Sequence, residues 1–141
     1  CALPISNRDP KECELLWGGF IATGETEEDL KTAKRNVAAR ISFYASTRTY
    51  RPALDFHGWG DVNEALHKLS VEGKWEEMFA LVTDEMVETL GFCGTGEEVA
   101  NSLKDNLGPI CSAAMWNEVE HLGTDHSKDE HVSHLIQIAK G

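Results

Sequence analysis

The feature that most restricts what this chain can fold into is a switch of hydrophobic period near its start. Residues 15–23 (LLWGGFIAT) form a short apolar run bounded by Gly24. Such a run reads as a buried strand. Immediately afterwards Leu30, Ala33, Val37, Ile41 and Tyr44 recur at helical spacing, which lines one face of a long helix. Thr26 with Asp29 three residues on resembles a capping box, and the acidic residues there suit a helix N-terminus. A strand feeding directly into an amphipathic helix points to a βα unit and so to a parallel sheet.

The rest of the chain continues in this style, with one interruption. Residues 50–60 (YRPALDFHGWG) are broken by Pro52, Gly58 and Gly60 and predict an irregular aromatic loop. Asp61 opens a helix with Val62, Ala65, Leu66 and Leu69 inward, and Gly73 suits its left-handed stop. Trp75, Met78, Phe79, Val82, Met86 and Leu90 predict one further helix, ended by Gly91, antiparallel to its predecessor. Residues 92–94 form a short extended piece. A helix bearing Val99, Leu103 and Leu107 follows, opened by Thr95 and Glu98 and closed by Gly108-Pro109. Residues 110–116 (ICSAAMW) read as a second buried strand, and Ser127 opens a last helix with Val132, Leu135, Ile136 and Ala139. No internal repeat or low-complexity segment is present.

Composition narrows the function. The net charge of -11 over 141 residues repels phosphate backbones, so no nucleic-acid partner is expected. No apolar stretch approaches the roughly 20 residues of a membrane helix, so no membrane partner is expected either. The four cysteines are widely spaced, without a CxxC pair, and read as reduced thiols of a cytoplasmic protein. Residues 1–8 read as a non-native leader, because CALPIS looks like a translated sequencing adapter.

Four segments in order carry a resemblance: GGFIATG-x-TEED from Gly18, ARISFYAS-x-x-x-YRPALDFHGWGD from Ala39, GKWEEM from Gly73 and GTGEEVANSL from Gly94. Together they resemble the luciferase-like monooxygenase family, and within it most closely the branch that uses the deazaflavin coenzyme F-420. The family's GTPEEV segment stands here with Gly96 in place of proline. The resemblance covers residues 9–107 well and the tail, residues 117–141, weakly. It implies an α/β fold: the C-terminal part of a (β/α)8 TIM barrel, predominantly helical here, with residues 61–90 as a helical insertion. A complete barrel needs about 250 residues, so residues 9–141 form a partial barrel. The implied activity is that of a flavin- or deazaflavin-dependent oxidoreductase, by hydride transfer or monooxygenation. Its cofactor would be F-420 or FMN, and its partners a small-molecule substrate and a second copy of the chain. The family's catalytic motifs lie upstream, so no catalytic residue is assigned.

The candidate cofactor- or substrate-lining residues are Tyr50, His57 and Trp59 of the aromatic loop, with Gly18 and Gly19, which lack a side chain to obstruct a ligand. Each has a plainer reading, as an anchor of the helical segment or as tight strand packing. Gly94-Thr95-Gly96 precedes a helix start and suits phosphate, although a cap explains it too. Arg40, Arg48 and Arg51 suit an anion, or pairing with neighbouring carboxylates. His121, His126, His131 and His134 lack zinc-ligand spacing and read as a solvated face, so no metal is expected. The alternative to an oxidoreductase fragment is a small non-enzymatic helical interaction domain, since several amphipathic helices can close a core alone.

Overall fold

The computed structural model describes Asp9 and residues 14–115. The leader at 1–8, the four tail histidines and the last helix lie outside the described residues. Two compact units emerge: Phe20–Gly96, and the residues flanking it on either side.

The first unit is a βαβ arrangement enlarged by helices. Strand β2 (Phe20–Thr23) pairs in parallel with β3 (Gly91–Gly94), Ile21 opposite Phe92 and Thr23 opposite Gly94. Between them runs α1 (Glu27–Ala45), which Thr26 caps by accepting from the Asp29 N–H at 3.2 Å. After it come a 3-10 turn (Arg48–Tyr50), α2 (Arg51–Phe56), α3 (Gly60–Val71), α4 (Trp75–Phe79) and α5 (Asp84–Leu90). The core gathers Ala33, Val37, Ala38, Ile41 and Ala45 of α1 with Ala22, Leu54, Leu66, Met78, Val82, Met86 and Val87. The inward stripe expected on α1 is present at Ala33, Val37 and Ile41. At its C-terminal end it passes to Ala45, because Tyr44 stays 43% exposed.

The second unit holds β1 (Leu16–Gly18), α6 (Gly96–Leu107) and β4 (Ala113–Met115), with β1 parallel to β4. Val99, Ala100 and Leu103 of α6 are buried, whereas Leu15, Leu16 and Met115 are exposed.

Four expectations need correction. The apolar run 15–23 is two strands, β1 and β2, separated at Gly19. The segment 50–60 is not an irregular loop. It contains α2, because Pro52 falls in the first helical turn, where its missing N–H costs nothing and its fixed φ suits the helix. The single helix expected from Trp75 to Leu90 is α4 and α5. Thr83 interrupts it, its hydroxyl accepting from the Met86 N–H at 3.3 Å and starting a new helix. Finally, β4 begins at Ala113 and not at Ile110, since the Ile110 and Cys111 N–H groups bond back to the Leu107 carbonyl.

Two glycines punctuate the helices by one device. Gly58 (φ +78°) and Gly73 (φ +71°) adopt left-handed backbone just past α2 and α3. Gly58 N–H donates to Asp55 O and Trp59 N–H to Leu54 O; Gly73 N–H donates to Ser70 O and Lys74 N–H to Leu69 O. Both are Schellman stops. A side chain finds open space at either site, so only the backbone conformation resists substitution. Gly58→Ala and Gly73→Ala are each expected to cost about 1–2 kcal/mol in urea unfolding. Ile41→Ala, which empties the centre of the core, should cost about 2–5 kcal/mol.

Candidate functional site

Side chains from one face of α3 meet the end of α1 in the first unit. Asn63 and His67 lie four residues apart, and beside them Glu64 and Lys68 repeat the interval, so the two rows share a helix face. The inner row serves α1. The last carbonyls of a helix have no partner within it. Here Asn63 Nδ2 donates to Ala45 O at 2.5 Å and to Thr47 O at 3.3 Å. His67 Nδ1 lies 3.1 Å from Ser46 O, and since a carbonyl only accepts, that nitrogen carries the hydrogen. Three successive carbonyls are thus capped from α3, which is why Asn63 is only 1% exposed.

The outer row joins Arg48 and Arg51 to form a cleft of about 360 Å³ lined by Arg48, Arg51, Asn63, Glu64, His67 and Lys68. Arg51 is engaged: its Nη1 lies 2.5 Å from Glu64 Oε1 and its Nε 3.4 Å from Asp55 Oδ2. The hydrogen bond to Glu64 holds the guanidinium still more firmly protonated than usual. Arg48 and Lys68 have no carboxylate at ion-pair distance among the described residues.

The residues singled out in the sequence are dispersed. His57 and Trp59 come together, their rings stacked at 4.8 Å with planes 21° apart. Trp59 also packs against the core, and Phe56 stands edge-on to His57 at 5.1 Å. Tyr50 joins a different series of rings, edge-on to Tyr44, which in turn touches Phe20 and Phe43. None of Tyr50, His57 and Trp59 lines the cleft. Gly18 has open space where a side chain would go, while a Cβ on Gly19 would strike the Trp17 indole. Of the three arginines, Arg48 and Arg51 reach the cleft and Arg40 does not. Sequence reading missed Asn63, Glu64, His67 and Lys68. Their four-residue spacing was visible, but the carbonyls they meet were not.

Topology adds a constraint. β2 ends at Thr23, the chain turns at Gly24, and α1 packs back on β2, so α1 runs against the strands. At about 1.5 Å per residue its 19 residues span about 28 Å, roughly twice a four-residue strand. The 3-10 turn and α2 through α5 therefore lie on the return toward the N-terminal edge of β3. The C-terminal edge carries Gly24 and Gly94, where Gly24 N–H donates to Gly94 O at 3.3 Å. A Cβ on Gly24 would collide with the Leu30 backbone.

The profile of the luciferase-like monooxygenase family matches residues 6–108. The chain belongs to this family. Among its relatives are uncharacterized proteins of Mycobacterium bovis and Mycobacterium tuberculosis, 37% identical over 119 residues. The alignment covers 79% of this chain but only 35% of each relative, so the chain spans about a third of their length. No solved structure matches it. The mostly helical architecture with short parallel strands is consistent with an α/β piece of a luciferase-like fold. Among the described residues no helix is long and apolar enough to cross a membrane, and no cluster of metal-ligating side chains occurs.

An isoalloxazine or deazaflavin ring needs a flat, largely apolar slot. The described residues do not fit one. The facing sides of His57 and Trp59 are occupied by each other, and the cleft is walled by charged and polar groups.

Cys93 on β3 has its thiol pushed up by burial, and Lys34, bonded to Glu88 at 2.5 Å, is also pushed up. Groups raised in the folded state stabilise it fully below their unfolded values and lose that contribution as pH climbs through the folded ones. The urea midpoint should therefore hold up to about pH 8.5 and fall above it. Cys93→Ala should remove the first part of the fall and leave the part above about pH 10 that Lys34 contributes. At the cleft, Asn63→Ala should cost about 1–3 kcal/mol. Asn63→Asp, though closer in shape, should be at least as harmful, because a carboxylate cannot donate to Ala45 O and Thr47 O.

Proposed function

We infer that this chain is the C-terminal part of a flavin- or deazaflavin-dependent oxidoreductase built on a (β/α)8 barrel. The observation that carries the reading is the family match over residues 6–108, in a chain that spans 35% of its relatives. Two structural features support it. The β2–α1–β3 arrangement has the parallel pairing of a barrel repeat. The β1–β4 pair leaves Leu15, Leu16 and Met115 exposed, although parallel strands are normally covered on both faces.

In the whole enzyme the cofactor, F-420 or FMN, supplies the redox chemistry, and the protein binds and orients it. F-420 is the first choice, since the four matching segments most resemble the branch that uses it. The substrate is a small molecule, the location cytoplasmic, and the protein partner a second copy of the chain. This segment contributes late barrel strands and a helical connection that stiffens one end of the barrel. Tyr50, His57 and Trp59 act there as anchors for that connection. Gly24 and Gly94, at the C-terminal strand edge where barrel enzymes place their sites, are the nearer neighbours of the chemistry.

The second reading is a self-contained helical interaction domain, and the continuous core of the first unit favours it. Recovery of the upstream reading frame, followed by fluorescence titration with F-420 and FMN, separates the two. The longer protein should bind one cofactor, whereas the 141-residue chain should bind neither at submicromolar concentration. An upstream frame without further βα units, or tight cofactor binding by the chain alone, would overturn the fragment assignment.

A further inference from the structure

We propose that the cleft between the 3-10 turn and α3 is a binding site for a small phosphate monoester that also carries a hydrogen-bond donor. The inference does not depend on the oxidoreductase reading, because all six lining residues lie within the first unit.

Charge is the first argument. The chain carries -11 overall, yet this cleft brings Arg48, Arg51 and Lys68 together against a single lining carboxylate, Glu64. Glu64 is taken by Arg51, which leaves Arg48 and Lys68 without an ion pair among the described residues, Lys68 feeling the Glu72 carboxylate only at longer range. Arginine and lysine in one concavity recognise phosphate through a planar fork and a point charge respectively.

The floor of the cleft supplies the second argument. The carbonyls at the end of α1 would repel an anion if bare. Asn63 and His67 cover those of Ala45, Ser46 and Thr47 with donated hydrogens, so the negative end of the helix is masked. Those same bonds spend the Asn63 amide on one side only. Its Oδ1 accepts nothing from any described residue, while the side chain is almost fully buried. A buried acceptor without a donor is costly, and a ligand hydroxyl or N–H would satisfy it. The volume of about 360 Å³ exceeds that of an inorganic ion and lies at the small end of ligand pockets.

The competing explanation is that Arg48 and Lys68 merely offset the C-terminal dipole of α1, whose last turn has no basic residue. Amide NMR titration at constant ionic strength separates the two, with inorganic phosphate, methyl phosphate and glycerol phosphate as probes and chloride as the balancing salt. It is run on the 141-residue chain. Saturable shifts centred on Arg48, Asn63, His67 and Lys68 are expected, with glycerol phosphate tighter than methyl phosphate or phosphate. The Arg48→Gln/Lys68→Gln variant should weaken binding by about 5–10-fold. Glu64→Gln, which removes the carboxylate from the cleft lining, should tighten it. Shifts that chloride reproduces, or that fail to saturate, would overturn the proposal. So would a double variant that melts earlier yet binds the probes unchanged, because it would leave only the dipole role.

Discussion

Everything in the first unit rests on the apolar face of α1. Ala33, Val37, Ile41 and Ala45 form an apolar stripe whose two alanines allow close approach. The β2–β3 pair packs against α1, and so do α3, α4 and α5. One helix thus holds two strands and three helices in a common core, and Leu66, Met78 and Val87 are completely inaccessible within it. The length of α1 decides the rest. Because it overshoots the strands, its far end has to be covered, and the helices of the connection cover it. Its terminal carbonyls then become the polar problem that Asn63 and His67 solve.

Legibility in the sequence followed the range of the interactions. The Thr26 cap, the stripe on α1, the left-handed stop at Gly73 and the short extended piece at 92–94 were readable because each depends on residues only a few positions apart. The errors had the same origin. Pro52 was read as a breaker when its place in the first turn makes it a starter, and the Trp75–Leu90 periodicity concealed the restart at Thr83. Periodicity measures which face is buried: Met78 of α4, Val82 of the link and Met86 of α5 are buried as expected even though the axis is interrupted, while Trp75 and Phe79 of the same stripe stay exposed. The cleft was legible only in part. Arg48 and Arg51 stood out by charge, but Asn63 and His67 matter through carbonyls 16–21 residues away in sequence, which no local pattern encodes.

The His57-Gly58-Trp59 segment has a structural role of its own. Aromatic residues flanking a glycine invite a ligand-lining reading. In the fold the glycine supplies left-handed backbone, Trp59 N–H reaches back to Leu54 O, and the indole meets the core.

A polar cap made by another helix has a consequence that a self-made cap does not. When the terminal carbonyls of α1 are bonded from α3, the two helices cannot separate without leaving Ala45 O and Ser46 O unpaired. The same bonds fix the spacing between the 3-10 turn and the outer row of α3, and that spacing sets the width of the cleft. Arg48 and Lys68 are therefore held at a defined separation by Asn63 and His67. The cap that closes the helix also arranges the charges beside it, and a substitution at Asn63 acts on fold and cleft together.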